Sequence, residues 1–324
     1  MFLQFIIPYY GSADLLITAV NSILNQTDTQ DIGLIVVDDN HFNDEGREQS
    51  TKACLFLNQH RGGNVKLSYI KNEENLGVGK TRNVGLAAAD AQYIAFVDSD
   101  DEIDSEFVSF FREKLKKHPC NILIGKYTYQ IGEDHYIANF MTWLHAKIYK
   151  LSFLRYNGIT FPPLRFNEDS GFNFMVYEMT KNIYTVPEDK ILYDWKPNPN
   201  SLTKTTKGDS YSVEHYVRSM NYGLKHVLNK YEINQTTRIP GTILQVYYYY
   251  CTLLYYDHPV TSEIINELTE FFNILRETKW YQLDKVKKEL QSWYFINGKD
   301  TEVIPPITLA QFISYFEKEP LNFK

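Results

Sequence analysis

The stretch Phe96-Val97-Asp98-Ser99-Asp100-Asp101 decides how this sequence is read, because an apolar run ends abruptly in three carboxylates. Residues 93–97 have the length and apolar character of a buried strand, so the acids fall at its carboxyl end. Carboxylate oxygens are the preferred ligands of Mg²⁺ and Mn²⁺, and Mg²⁺ usually takes its remaining ligands from phosphates and water. The cluster therefore suits a hard divalent cation that carries a phosphorylated substrate. The same residues also suit a solvated turn at a helix start, since 101–105 offers capping side chains ahead of Phe107-Val108 and Phe110-Phe111.

Working outward, residues 5–9 and 34–37 are further short apolar runs, and 67–70 reads as an additional strand. Leu15-Leu16, Ala19-Val20 and Ile23-Leu24 recur at helical spacing between them, and residues 84–89 form another helical pattern after the turn at Gly77. This alternation predicts an α/β fold with a mostly parallel sheet flanked by helices. Ligands of such sheets sit beyond the carboxyl ends of the strands. Here those ends carry Pro8-Tyr9-Tyr10, Asp38-Asp39-Asn40 and the acids at 98–101, so two of the three put carboxylates on one edge. That coincidence argues against a merely solvated face.

At 324 residues the chain can hold one large or two modest domains, and 44% hydrophobic residues suffice for a real core. A net charge of -7 lacks the basic footprint of a nucleic-acid binder, so no nucleic-acid partner is expected. Cys54, Cys120 and Cys251 are far apart and have no ligand spacing, which points to a reducing cytoplasm rather than disulfides or zinc. The opening Met1 to Pro8 has no basic region and reads as a first strand rather than a signal peptide. The apolar stretch 243–256 is too short and too rich in tyrosine to span a bilayer, so any membrane contact is expected to be peripheral.

Past residues 122–129 the pattern loosens into aromatic-rich segments, with Pro162-Pro163 and then Asn167-Glu168-Asp169-Ser170. The carboxylate pair there also suits simple compensation of a helix dipole. Lys196-Pro197-Asn198-Pro199-Asn200 punctuates the chain, and the boundary is set at 207. Residues 1–207 are then a nucleotide-binding domain, and 208–324 a helical domain for acceptor binding or oligomerisation. Its helices are expected at 212–231, 243–256, 262–280, 283–294 and 308–316, the last with Thr308 and Gln311 as a capping box.

Two phosphate-binding motifs fail. Gly77-Val78-Gly79-Lys80-Thr81 lacks the earlier glycine of a phosphate loop, where Glu74 stands, and the first strand runs into Tyr9-Tyr10-Gly11-Ser12 rather than a glycine cradle. What survives is a turn ahead of a helix whose Lys80 and Arg82 either reach a diphosphate or are surface cations.

Taken in order, five pieces resemble the family 2 glycosyltransferases of GT-A fold. They are Phe5-Ile6-Ile7-Pro8-Tyr9-Tyr10, Ser22-Ile23-Leu24-Asn25-Gln26-Thr27, Val36-Val37-Asp38-Asp39-Asn40, Asn75-Leu76-Gly77 through Arg82-Asn83-Val84-Gly85, and the acids Asp98 to Asp101. The resemblance implies an inverting, metal-dependent transfer of one sugar from a nucleotide diphosphate sugar, with a uridine diphosphate sugar favoured. It implies that Asp39 reads the base and that Pro8 and Tyr10 line its pocket. Asp98-Ser99-Asp100 is similar to the Asp-x-Asp motif, with Asp98 near the ribose and Asp100 on Mn²⁺ or Mg²⁺. Glu168-Asp169 matches the later acidic pair, of which Asp169 is the catalytic base.

The sequence departs from the family at 198–205, where many relatives carry a His or Arg toward metal or diphosphate and this chain offers Ser201, Thr203 and Lys204. The Gln-x-x-Arg-Trp element of processive synthases is absent, which favours single addition. Acceptors compatible with the resemblance are a cell-surface glycan, a teichoic acid or a lipid-linked saccharide at the inner face of the membrane. Lys181, Lys190, Lys196, Lys204 and Lys207 would attract a phosphate-bearing one, and Tyr222, Tyr247, Tyr248, Trp280, Trp293 and Tyr294 offer either stacking faces or ordinary packing. Alternatives left open are a non-catalytic saccharide-binding scaffold of the same fold, a glycosyltransferase acting on protein, and a sugar nucleotidyltransferase. The last would begin with a basic glycine-rich loop that 9–13 lacks.

Overall fold

The computed structural model describes residues 1–131, 134–139, 142–198, 209–230, 238–278 and 307–315. The chain divides into two compact units, Met1–Arg165 with Thr180–Ser201, and Phe166–Met179 with Leu202–Lys324.

In the first unit, β1 (Leu3–Tyr9), β2 (Ile32–Asp38), β3 (Lys66–Lys71) and β4 (Tyr93–Phe96) alternate with α1 (Ala13–Leu24), α2 (Asp44–Gln59) and α3 (Val78–Ala88). β5 (Glu102–Ile103) and α4 (Phe107–Lys117) follow, then β6 (Ile122–Ile124), β7 (Lys126–Ile131), β8 (Asp134–Ala138), β9 (Lys147–Lys150) and α5 (Leu151–Asn157). After the excursion through the second unit come β10 (Ile183–Thr185) and β11 (Ile191–Asp194). A seven-stranded sheet has the order β10-β6-β9-β4-β1-β2-β3, and a four-stranded sheet the order β5-β11-β7-β8. β1 pairs in parallel with β2 from Leu3↔Ile32 to Tyr9↔Asp38, and with β4 from Leu3↔Tyr93 to Ile6↔Phe96. The expected mostly parallel sheet is present, with β9 as its antiparallel member between β4 and β6.

Strands β1 and β2 are buried along their whole length, as strands of a parallel sheet covered on both faces must be. Ser12 caps α1 by accepting from Leu15 N, and the helix buries Leu16, Ala19, Val20 and Ile23. Helix α3 lies close to the sheet because Gly85 has no side chain. A Cβ there would stand 2.4 Å from Ile6 Cγ2, which forbids anything larger without repacking. The acids at 98–101 do not cap α4, since β5 intervenes and Asp104 Oδ1 accepts from Glu106 N at 2.9 Å instead.

The second unit is helical: α6 (Glu168–Glu178), α7 (Asp209–Leu228), α8 (Ile239–Tyr255), α9 (Ser262–Glu277) and α10 (Leu309–Ser314). Small residues let α6 approach α7: Gly171 N donates to Ser219 Oγ at 2.9 Å, and a Cβ on Gly223 would stand 2.9 Å from Phe174 Cδ1. Helix α8 begins four residues before the sequence-based start at 243, because Pro240 occupies its first turn, where a missing N–H costs nothing. The capping box of Thr308 and Gln311 is formed. Tyr247 and Tyr250 are buried against Phe312, so this part of the tyrosine run is core. The helix expected at 283–294, with Trp280, Trp293 and Tyr294, lies outside the described residues, as do Lys204 and Lys207.

Candidate functional site

The strand order reverses beside β1, with β2 on one side and β4 on the other, and such a switch point opens a crevice at the carboxyl ends of the strands. The sequence-predicted donor residues converge on these ends. Pro8 is buried within β1, whereas Tyr10 just beyond it is 56% exposed and meets His41 edge-on at 5.8 Å.

The two acids that end β2 are both buried and both engaged. Asp38 accepts from Tyr69 Oη, Lys71 Nζ (3.0 Å), Asn40 N (2.8 Å) and Asn40 Nδ2 (2.9 Å). Asp39 Oδ1 accepts from Asn72 Nδ2 and Leu76 N, and Oδ2 from Gly77 N, each at 2.8 Å. The turn thus held carries Gly77 at φ 81°, a conformation natural only to glycine, and a Cβ there would stand 2.7 Å from Arg165 Cγ. Two residues on, Gly79 N donates to Leu164 O at 3.0 Å, so the start of α3 is tied down from both sides.

Of the two cations singled out on α3, Lys80 is exposed and Arg82 is buried. Arg82 Nη2 stands 2.6 Å from Asp98 Oδ1, and its guanidinium lies 5.6 Å from the Phe161 ring. Burial pushes the Asp98 carboxyl up, but the Arg82 guanidinium, helped by His145, brings it below the ordinary value. Ser99 is half-buried in the turn that follows. Asp100 Oδ2 accepts from Asn198 Nδ2 at 2.7 Å, and burial together with the Asp98 charge raises its carboxyl. Asp101 is buried, accepts from Tyr193 Oη at 2.6 Å and from Lys196 N at 2.9 Å, and is pushed well up by burial and by its two acidic neighbours.

Three residues were not singled out in the sequence. Tyr193 and Asn198 come from the far side of the second unit's insertion, and His145 precedes β9. Asp98, Asp101 and His145 each offer one ligand atom within 4.8 Å of the others, whereas Asp100 is not of that group. Asn198 is the first residue of the 198–205 stretch where the sequence departs from the family, so that stretch carried the signal. The lone His145 carried none.

In the second unit, Glu168 and Asp169 form the first turn of α6, with Glu168 buried and Asp169 half-buried. Asn167 before them has φ 57°, a left-handed conformation that Asn tolerates, and its Nδ2 donates to Ser212 O at 2.9 Å. Asp169 Oδ1 accepts from Ser170 N at 2.8 Å. Burial first and then the Asp169 charge raise the Tyr249 hydroxyl, and the Tyr216 ring lies 4.6 Å from that of Tyr249. Among the described residues no helix is long and apolar enough to cross a membrane.

Comparison with known proteins agrees with this geometry. Residues 4–175 match the profile of glycosyl transferase family 2. The chain is 31% identical over 202 residues to the poly(ribitol-phosphate) beta-glucosyltransferase of Bacillus spizizenii, covering 56% of this chain and 30% of that one. It is 28% identical over 207 residues to the poly(ribitol-phosphate) beta-N-acetylglucosaminyltransferase TarS of Staphylococcus aureus, covering 58% of this chain and 34% of that one. The match therefore spans about a third of the length of these two relatives. The crystal structure of S. aureus TarS 1-349 in complex with UDP-GlcNAc superposes with a TM-score of 0.62 at 20% identity, over 88% of this chain and 83% of that one, which shows the shared fold. With the strand-end acids, the switch point and the family profile in agreement, the chain has the GT-A fold and belongs to glycosyl transferase family 2.

Proposed function

We propose that the chain transfers a single sugar, with inversion, from a uridine diphosphate sugar to a hydroxyl of a poly(ribitol-phosphate) type cell-surface polymer, on the cytoplasmic side of the membrane. The observation that carries this reading is the acidic turn at the switch point, where Asp98, Asp100 and Asp101 cluster and Arg82 pairs with Asp98. The names of the relatives above support the sugar and acceptor class, and the UDP-GlcNAc complex of TarS 1-349 supports the uridine donor.

The turn fits a divalent cation. Three carboxylates sit together with one neutralising guanidinium, two of them are raised by mutual repulsion and burial, and a buried imidazole faces the group. Asp98, Asp100 and Asp101, with His145 within 4.8 Å of Asp98 and Asp101, are the residues that would hold Mn²⁺ or Mg²⁺, and when bound the cation would supply an electrophile for the departing diphosphate. The chain's own residues do the rest. Tyr10 offers an exposed ring beside the base pocket, and Asp39 fixes the turn from Asn75 to Gly77 that borders it. Arg82 holds Asp98 in place, and Lys80 remains exposed for a phosphate. Asp169 takes the proton of the acceptor hydroxyl as it attacks, a task worth about two to four orders of magnitude in rate.

The test is direct. Purified protein is incubated with UDP-glucose or UDP-N-acetylglucosamine and poly(ribitol phosphate), with and without Mn²⁺ or Mg²⁺. UDP release, the mass added to the acceptor and the anomeric configuration of the product are then read. One hexose or N-acetylhexosamine per modified ribitol, in β linkage and only with the cation, is expected. A retained α configuration refutes the role of Asp169, and transfer at full rate in chelator refutes the role of the acidic turn.

A further inference from the structure

His145 does not behave as a packing residue. It is 9% exposed, and among the described residues neither ring nitrogen is taken up by a protein hydrogen bond, although neither is one of the fully buried orphan atoms. Its ring is held by four aromatic neighbours, with centroids 4.7 Å from Tyr193, 5.1 Å from Tyr127, 5.8 Å from Trp143 and 5.9 Å from Trp195. Ala146 next to it has φ 49°, a conformation an alanine adopts only where its surroundings enforce it, and Ala146 O is tied to Gly125 N at 2.8 Å. One ring nitrogen of His145 and one carboxylate oxygen each of Asp98 and Asp101 lie within 4.8 Å of one another.

We propose that His145 is a ligand of the divalent cation, adding one imidazole beside Asp98 and Asp101 to the carboxylates of the acidic turn, in a site that favours Mn²⁺ over Mg²⁺. This rests on the metal-dependent reading above and adds a specific ligand and a metal preference to it. The chemistry follows from the donor set. Mg²⁺ is served by oxygen alone and dehydrates reluctantly, whereas imidazole nitrogen suits first-row transition ions. The four aromatic rings limit the rotation of the imidazole and so preset the direction of its lone pair.

The experiment uses the full chain and the metal alone. Mn²⁺ binding is followed by the loss of free-ion EPR signal, and pulsed EPR of the Mn²⁺-loaded protein reads hyperfine coupling to ¹⁴N. His145→Phe keeps the ring packing and removes the ligand, and His145→Asn is a smaller second variant. UDP binding in chelator serves as the check that each is folded. Expected results are ¹⁴N coupling in the wild type, its loss in both variants, a Mn²⁺ affinity at least about tenfold weaker, and a narrowed Mn²⁺-to-Mg²⁺ preference. Wild-type protein that binds Mn²⁺ without ¹⁴N coupling overturns the assignment of His145 alone, and needs no variant to do so. Wild-type protein that binds no Mn²⁺, with or without UDP, overturns the metal-dependent reading and this assignment with it.

Discussion

Replacing Asp39 separates two roles that one carboxylate can play. If Asp39 only reads the nucleotide base, Asp39→Ala costs affinity and leaves the protein without nucleotide as stable as before. Its bonding pattern argues for more. Gly77 N is buried and has Asp39 Oδ2 as its acceptor, so the alanine variant orphans it at about 1–3 kcal/mol. Leu76 N, half-buried, exchanges a charge-assisted bond for water at about 1 kcal/mol. Asn72 Nδ2 loses least, since it retains Thr81 Oγ1 at 3.3 Å. The expected loss is about 2–4 kcal/mol of stability, or roughly 5–15 °C in the melting of the first unit. Asp39→Asn offers no escape, because its amide nitrogen must face either Gly77 N–H or the pair of donors on the other oxygen. The assay is urea denaturation without nucleotide, paired with UDP titration and steady-state kinetics at a temperature where both variants are folded. A destabilised protein with raised KM and nearly unchanged kcat is expected, the signature of lost uniform binding. Stability within about 0.5 kcal/mol of wild type would refute the structural role and leave base reading as the whole of it.

Asp169→Asn preserves shape and removes basicity, so turnover should fall about 10²–10⁴-fold while UDP affinity holds, with Glu168→Gln milder; a near-wild-type rate eliminates Asp169 as the base. Arg82→Met should destabilise the cation-free protein by about 2–3 kcal/mol, somewhat below the cost for a fully buried pair because Asp98 is 34% exposed, and saturating Mn²⁺ should recover part of the loss. Thermal melts with and without the cation check this, and an unchanged melting temperature in chelator contradicts it. Truncation after residue 207 should spare UDP binding but abolish transfer, because α6, which carries Asp169, packs on α7 through Gly171 and Ser219; full transfer by the truncated chain would show that the helical unit contributes nothing to the base.

Much of the donor half was legible because its signal is local. Buried parallel strands read as continuous apolar runs, and the residues just past each run are the ones a switch point collects. The helices at 209–228 and 262–277 were legible from their periodicity. β9 was not, since Lys147 opens it and hydropathy does not expect a lysine in the middle of a sheet. That lysine is 1% exposed and is accommodated because Nζ donates to Trp143 O. The β7–β8 hairpin and β11 were likewise hidden in aromatic-rich sequence whose partners are distant along the chain.

The same distance explains why one sequence signal, an acid at the end of a strand, covers two different physical situations. Asp38 and Asp39 look like ligands in the sequence, yet donors from β3 and the turn after it, namely Tyr69, Lys71, Asn72, Leu76 and Gly77, occupy them. Their negative charge is used to hold backbone that would otherwise fray. The acids at 98–101 have donors as well, from Arg82, Tyr193, Lys196 and Asn198, but Arg82 is the one ion-pair partner among them. Two carboxyls there are raised, by burial first and then by the charge of their acidic neighbours. An acidic turn of three clustered carboxylates with an imidazole within 4.8 Å of two of them would gain free energy from a cation. A strand-end acid such as Asp39, with three donors already in place, holds the turn beside it whatever else it contacts.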